Sequence, residues 1–210
     1  MQVITEPENA RSRRTRAALL AAARALIEEH GFEALTMAAV AGRAGVSRRG
    51  VYLHYASRAE LVTALFDFVS EEEGLAASIR PVWTAPDAVT ALAEWARHLA
   101  RYQPRILAVD LAAERVRQLD PDAAAHRQIV IDDQRSACRR LASWLKDEQQ
   151  LAPSWTVQTA TDMLWALMAS GMIKNLLVDC GWPARRYGER LAVLLRSTFV
   201  RDSAGSKLRT

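Results

Sequence analysis

The stretch AGVSRRGVYLHYAS, Ala44 to Ser57, gathers side chains that bind anions. Arg48 and Arg49 stand side by side after Ser47. A guanidinium group pairs with phosphate or with a guanine edge through two parallel hydrogen bonds. Two adjacent arginines are not typical of a packed core, because burying a charge is costly. Together with a hydroxyl, a glycine and two tyrosines, they predict a surface that contacts a DNA groove.

Two short helices joined by a tight turn must position these residues. Thr36 is suited to cap a helix through Gly42, and Ser47 a second helix through about Tyr55. Gly45 falls where the turn needs a left-handed backbone, which glycine adopts without strain. The pattern predicts a helix-turn-helix whose second helix enters the major groove by its N-terminal end. The residues expected to point into the angle between the helices are Val40, Ala44, Val46 and Val51.

The rest of the chain also predicts helices, because apolar residues recur every three or four positions. No segment alternates as a strand would. Glycines and prolines, Pro81 and Pro104 among them, punctuate the pattern. We therefore expect an all-α fold of about nine helices. The expected helices cover 13–30, 36–42, 47–55, a segment opened by Ser57 with Glu60 at the capping-box position, one opened by Pro86 and Asp87, 121–146, 155–179 and 184–200.

The predicted helices form two lobes, divided near residues 70 to 85, and the first lobe contains the helix-turn-helix. The expected boundaries are a flexible arm at 1–10, a helix-turn-helix domain at 11–56, a linking helix at 57–80, a second helical domain at 81–202, and a frayed tail at 203–210.

Composition narrows the class of protein. Of the 210 residues, half are apolar and a quarter are charged, with a net charge of +4, which is ordinary for a folded protein and compatible with a nucleic-acid partner. A basic cluster near the start is either an arm that reaches DNA or a solvated helix start; it comprises Arg11, Arg13, Arg14 and Arg16. No apolar run suits a signal peptide or a membrane span, so a cytoplasmic location is expected. Cys138 and Cys180 are then reduced and act as small apolar residues.

Catalytic and metal-binding patterns are missing from the sequence. The four histidines show no spacing typical of metal ligands, and no nucleophile elbow, P-loop or dinucleotide fingerprint occurs. We expect no enzyme activity and no cofactor.

Residues 12–66 resemble the TetR family of bacterial regulators. The resemblance rests on "GF…LT", "AGVS", a tyrosine two residues after the glycine, "HY" and "SRAEL". Gly50, Tyr55 and Arg58 depart from the commonest family residues, and the paired arginines prevent the operator from being borrowed from a relative. The resemblance implies a dimeric, ligand-responsive DNA-binding protein whose all-helical domain at 81–202 binds the effector and forms the dimer. We expect a repressor of a near-palindromic operator.

The family resemblance also implies which residues touch DNA. Arg48 or Arg49 would contact bases, and Tyr52 and Arg58 would contact phosphate. His54 either contacts phosphate or packs and bonds the backbone, and Tyr55 either packs between helices or touches DNA. The full expected set is Thr36, Ser47, Arg48, Arg49, Gly50, Tyr52, His54 and Arg58.

In the second domain, bulky residues either line an effector cavity or fill a core. Family resemblance favours a cavity for a small, mostly apolar or aromatic effector. The expected ligand-binding residues are Trp95, Leu99, Tyr102, Leu141, Trp165, Met168, Met172 and Asn175, and further polar candidates are His98, Glu114, Arg117 and Gln134. Asn175, expected to be a buried amide, either meets the ligand or pairs across a dimer.

The last two predicted helices are the expected homodimer interface. Small residues there permit close approach, and apolar ones supply contact area, although the same face suits an intramolecular core. The small residues are Ala166, Ala169, Ser170 and Gly171, and the apolar residues are Leu164, Leu167, Met168 and Ile173. Two alternatives stay open: an architectural DNA-binding protein without an effector, and an activator without a small-molecule inducer.

Overall fold

The fold is all-α, as predicted, in a computed structural model that describes residues 10–116 and 118–201. Ten α-helices lie within these ranges, and the one extended pairing described there is an isolated bridge between Leu151 and Val200. Residues 1–9 of the expected arm, Arg117 and the expected tail lie outside the described residues. The helices are α1 (Ala10–His30), α2 (Met37–Ala44), α3 (Arg48–Tyr52), α4 (Arg58–Glu72), α5 (Leu75–Trp83), α6 (Ala88–Val116), α7 (Pro121–Asp147), α8 (Val157–Ala166), α9 (Ser170–Lys174) and α10 (Ala184–Phe199).

The chain divides into two compact units. The first unit contains the residues up to Val69 together with Ala112–His126, and the second contains Ser70–Leu111 and the residues from Arg127 onward. The segment 112–126, which the sequence assigned to the second domain, therefore clusters with the N-terminal helices. None of the helices in the described ranges is both long and apolar enough to cross a membrane.

The core of the first unit forms around α1, whose apolar stripe is buried as its helical spacing predicts. Phe32 and Leu35, from the connection after α1, are also fully buried. Val40 of α2 and Val51 of α3 complete the small core of the helix-turn-helix. The buried residues of α1 are Leu19, Leu20, Ala22, Ala23, Leu26 and Ile27.

The second unit has a larger core, formed mainly by α6, α7 and α10. Gly188 of α10 lies so close to α6 that an added Cβ would be 2.9 Å from the Cβ of Ala100. Glycine at this position thus permits the close approach of the two helices. The buried core residues of these helices include Leu92, Trp95, Leu99, Leu141, Leu145, Tyr187, Leu191 and Leu195.

Two prolines expected to end helices instead lie inside them. Pro81 is within α5 and Pro104 within α6. Each removes one backbone N–H, so the carbonyls of Ala77 and Ala100 lose their usual helical donor. The helices continue because residues beyond each proline are buried, as Val82 and Leu107 are, and this packing offsets the lost hydrogen bond.

The predicted long helix over 155–179 is broken. The helix α8 ends at Ala166, α9 begins at Ser170, and a π-helical turn follows at Asn175–Asp179. The backbone of Ala169 is not helical, with ψ at 125°. Ser170 is buried at the break and donates its hydroxyl to the carboxylate of Asp110 on α6. A polar partner distant in sequence thus accompanies an interruption that local periodicity did not show.

Candidate DNA-binding surface

The helix-turn-helix has the local geometry that the sequence predicts. The Thr36 hydroxyl accepts a hydrogen bond from the Ala39 N–H at 3.1 Å, and the Ser47 hydroxyl accepts one from the Gly50 N–H at 3.0 Å. Gly45 ends α2 in the left-handed region, with φ 68° and ψ 28°. The second helix is shorter than expected, because α3 ends at Tyr52. These caps and the turn hold the start of α3 in a defined position.

Most of the residues expected to touch DNA are accessible. Arg48, Arg49 and Tyr52 are exposed, and the Arg48 guanidinium lies 5.9 Å from the centre of the Tyr52 ring. Thr36 and Ser47 are exposed, whereas Gly50, His54 and Arg58 are half-buried. The first unit thus presents two arginines and a phenol together on α3. Their contact with DNA stays a prediction.

Of the two alternatives for Tyr55, the structure supports packing between helices. Its side chain is fully buried, with the Arg16 guanidinium 5.4 Å from the centre of its ring. The helical spacing explains this, because Tyr55 follows the buried Val51 by four residues and its N–H bonds the Val51 carbonyl at 2.9 Å.

The arginines of the first unit differ in their partners. In the described part of the chain, Arg48 and Arg49 have no carboxylate within ion-pair distance, whereas Arg43 donates to both carboxylate oxygens of Glu29. The hydrogen bonds from Arg43 hold the pKa of Glu29 below its ordinary value. No carboxylate of residues 10–116 or 118–201 therefore offsets the positive charge at the start of α3.

Arg58 has a different environment, although the sequence groups it with the DNA contacts. Its Nε donates to the Leu35 carbonyl at 2.7 Å, its Nη2 lies 2.9 Å from Asp120 Oδ2, and its Nη1 lies 2.9 Å from Asp122 Oδ2. The guanidinium also lies 5.0 Å from the Phe32 ring centre. All three nitrogens of Arg58 therefore have partners inside the first unit. We call Arg58, Asp120 and Asp122 the Arg58 clasp.

Electrostatics favours the charged state of the Arg58 clasp. Burial opposes the charge on Arg58, but the hydrogen bonds to Asp120 and Asp122 raise its pKa above the ordinary value. Burial likewise opposes the charge on Asp120, but the bonds from Arg58 and from the Ala123 N–H hold its pKa below the ordinary value. Asp120 also caps α7, since its Oδ1 accepts from the N–H groups of Asp122 and Ala123.

The sequence did not reveal the Arg58 clasp. Asp120 precedes Pro121, which marks a helix start and suggests a capping role for Asp120. Its pairing with Arg58, 62 residues earlier, has no local signal.

The basic cluster near the start of the chain belongs to α1, which begins at Ala10. Arg14 Nε donates to the Ala10 carbonyl at 3.3 Å, within the first turns of the helix. The described arginines of this cluster thus lie on a helix. The question of whether residues 1–9 reach DNA falls outside the described part of the chain.

The residues predicted to bind an effector lie in the second unit. Five of them are buried, namely Trp95, Leu99, Tyr102, Leu141 and Met168. Trp165 and Met172 are partly buried and pack against the same core, and the Arg135 guanidinium lies 5.1 Å from the Trp165 ring centre. Most of the set is therefore adjacent to one core; its contact with an effector stays a prediction.

The burial expected of Asn175 is wrong. Asn175 is exposed and lies at the start of the π-helical turn. With its amide oriented so that the nitrogen donates, it bonds the Gly171 carbonyl at 3.1 Å and Asp179 at 3.2 Å. Local turn contacts satisfy the amide, and for this reason it needs no buried partner.

Three apolar residues expected at the dimer interface are buried in the chain's own core: Leu164, Met168 and Ile173. The intramolecular alternative therefore applies to them. Four other apolar side chains on α8, the π-helical turn and α10 are exposed: Met163, Val178, Val193 and Leu194.

These observations describe an all-α protein whose first unit is a capped helix-turn-helix with two exposed arginines on its second helix. Residues 19–65 match the model of the bacterial regulatory proteins, tetR family, and this match confirms the resemblance of residues 12–66 to the TetR family. No curated protein matches the chain.

Solved structures show the same fold across nearly the whole chain. NalD of Pseudomonas aeruginosa, described as the secondary repressor of the MexAB-OprM multidrug efflux pump, is 20% identical, with 92% of this chain and 100% of NalD covered and a TM-score of 0.70. A TetR transcriptional regulator from Chloroflexus aurantiacus is 17% identical, with 92% and 100% covered and a TM-score of 0.70. A regulator from Saccharomonospora viridis, solved in complex with choline, is 15% identical, with 90% and 100% covered and a TM-score of 0.70.

Proposed function

We propose that this protein is a DNA-binding transcriptional regulator that binds a near-palindromic operator as a homodimer. The observation that carries the proposal is the pair Arg48 and Arg49, exposed at the start of α3 and without carboxylate partners in the described residues. That end of a recognition helix lies nearest to the base edges. Thr36, Ser47, Gly50, Tyr52 and His54 supply the surrounding contacts, and Arg58 reaches phosphate only by exchanging partners in the Arg58 clasp.

The operator is the first test. The full chain is incubated with a randomised duplex library, and bound DNA is enriched over several rounds. We expect a sequence with twofold symmetry and half-sites about one helical turn, roughly 34–36 Å, apart or at a related spacing. A population that stays random after enrichment would contradict specific recognition and support an architectural role.

Dimerisation is proposed through α8 to α10, because exposed apolar side chains on a soluble chain mark contact surfaces. Val193 and Leu194 of α10 are 61% and 46% exposed, and Val178 is 61% exposed. Light scattering at micromolar concentration should give twice the 23.3 kDa mass of one chain. Val193→Glu with Leu194→Glu should shift the mass to that of one chain, and an unchanged dimer would place the interface elsewhere.

We propose that a small, mostly apolar or aromatic effector binds in the second unit and releases the dimer from DNA. Trp95 and Tyr187 support this, because their Nε1 and hydroxyl groups are buried and have no hydrogen-bond partner in the described residues. Such groups are costly to leave unsatisfied, at about 1–3 kcal/mol each. An acceptor oxygen of an effector would satisfy whichever of these groups it reaches. The choline complex shows only that a protein of this fold binds a small molecule.

The effector test is a screen of small aromatic and lipophilic compounds against the complex with the selected operator. Release by a hundredfold requires roughly 2.7 kcal/mol of coupling, and DNA must weaken effector binding by the same factor. Trp165→Ala should weaken the effect of an active compound. Tyr187→Phe should weaken the binding of compounds that have an acceptor oxygen and leave the binding of their hydrocarbon analogues unchanged. If no compound releases DNA, the architectural or activator alternative is favoured.

A further inference from the structure

A groove between α6 and α10 lies on the second unit, apart from the residues assigned to DNA and effector, and it shares one lining residue, Val193, with the proposed dimer interface. Its volume is about 840 Å³, within the range of sites that hold small molecules. Four arginines line it: Arg97, Arg101 and Arg105 of α6, and Arg185 of α10. The α6 arginines recur every four residues, so their stems follow one face of the helix. Glu189 is the one acidic residue among the lining residues.

The charges in this groove are unbalanced. Arg185 pairs with Glu189 at 2.9 Å, and Arg97 pairs with Glu94. Arg101 and Arg105 have no carboxylate within ion-pair distance in the described ranges. Each instead donates to a backbone carbonyl: Arg101 to Ser78 at 2.9 Å, and Arg105 to Glu73 at 3.1 Å.

These backbone bonds limit the movement of the two guanidinium groups. A guanidinium has five N–H donors, so one bond to a carbonyl leaves several donors for a ligand. Holding a binding group in place before the ligand arrives lowers the entropy cost of binding. Arg101 and Arg105, four residues apart on α6, therefore form a partly ordered pair of cations.

The remaining lining of the groove is small and apolar. Ala100 and Pro104 of α6 lie opposite Gly188 and Ala192 of α10. Gly188 sets the spacing, because an added Cβ would be 2.9 Å from that of Ala100. Short side chains leave room for a ligand's hydrocarbon, while the arginines bind its charged end.

We propose that this groove binds an organic carboxylate with an apolar body, such as a medium-chain acyl or aromatic acid. The carboxylate pairs with Arg101 and Arg105, since the guanidinium fork matches its geometry. The apolar body lies along the small residues between α6 and α10. This site is additional to the interior effector site, and it is tested without DNA.

The test is calorimetric titration of the full-length protein with decanoate below its micelle concentration. Decanoate should bind saturably to the wild type. The double variant Arg101→Gln with Arg105→Gln should bind decanoate at least tenfold more weakly. The control, Arg80→Gln with Arg190→Gln, removes the same charge from exposed arginines outside the groove and should change affinity less than twofold. Equal affinity in both double variants, or no binding to the wild type, would overturn the proposal.

Two further probes separate charge from shape. Decanol, which lacks the charge, should bind at least tenfold more weakly than decanoate, and equal affinities would overturn the role of the arginines. Inorganic phosphate should not displace decanoate at matched concentration. Displacement would mean that the arginines bind anions in general and would overturn the proposed recognition of an apolar body. Ala184→Trp, an exposed lining position at the start of α10, fills the groove without changing charge. It should abolish decanoate binding, and unchanged binding would contradict the location even if the arginine variant failed to fold.

Discussion

The starts of α3 and α4 carry the same chemical group in opposite situations. Arg48 and Arg49, at the start of α3, are exposed and have no carboxylate partner in the described residues. Arg58, at the start of α4, has a side chain 24% exposed and pairs with Asp120 and Asp122. The partners of an arginine, more than its place in a motif, therefore determine whether it is available to a ligand. A paired guanidinium must first lose its carboxylates to bind phosphate.

Replacing Arg58 should have the largest effect among the substitutions considered, because its guanidinium pairs with two carboxylates. Arg58→Ala leaves two partly buried carboxylates unpaired, so it should lower the free energy of unfolding by about 3 kcal/mol. Arg48→Ala should change it by less than about 0.5 kcal/mol, as is usual for exposed sites. Urea denaturation of both variants measures the free energy of unfolding. Arg58→Lys tests whether a positive charge without the guanidinium group is sufficient for stability. If Arg58→Ala is as stable as the wild type and only reduces the salt dependence of DNA binding, Arg58 contacts DNA phosphate. The proposed difference between Arg58 and the arginines of α3 would then be wrong.

The arginines of α3 should act on specificity. Arg48→Ala or Arg49→Ala should cost about 2 kcal/mol at the selected operator, because a bidentate contact to a base is lost. The loss on scrambled DNA should be much smaller. Fluorescence anisotropy with both duplexes gives the two affinities. Equal losses on operator and scrambled DNA would mean that neither arginine contacts bases.

His98 adds a third case, a basic side chain that is buried and has no carboxylate partner in the described residues. Burial, with a smaller effect of Arg101, lowers its pKa to about 4, and its Nδ1 lies 2.9 Å from the Ser78 hydroxyl. Between pH 6.5 and 4 the unfolded chain binds the proton and the folded chain does not, so stability falls as the pH falls through this window. The loss from pH 7 to pH 5 should be roughly 1–2 kcal/mol.

Urea denaturation at several pH values tests this effect. His98→Gln removes the titrating group, so its stability should depend less on pH between 6.5 and 4, whatever its stability at pH 7. Parallel pH profiles for the two proteins would show that His98 is already protonated, or solvated, in the folded state.

The smallest effect is expected at the tyrosines. Tyr52 is 44% exposed and Tyr55 is buried, so the two phenols repeat the contrast between an accessible and a packed group. Tyr52→Phe should weaken binding to every duplex by about 1 kcal/mol, as one hydrogen bond to phosphate is lost. Tyr55→Phe should leave DNA affinity unchanged. Titrations in which Tyr52→Phe also has no effect would remove the phenol from the interface.

Local sequence determined the helix-turn-helix almost completely. Caps at Thr36 and Ser47, the left-handed Gly45 and the buried positions of Val40 and Val51 all depend on neighbours within a few residues. Short-range hydrogen bonds and apolar spacing carry this information, so the sequence was sufficient to predict the all-α fold and the surface on α3.

The pairing of polar groups that lie far apart along the chain became visible in the folded structure and not in the sequence. The Arg58 clasp joins residues 62 and 64 apart, and the Ser170 hydroxyl meets Asp110 across 60 residues. Periodicity predicted a continuous helix over 155–179 and a buried Asn175, but the chain breaks after Ala166 and leaves Asn175 exposed. The physical reason is that burial and ion pairing depend on distances in space, and only folding brings such residues together.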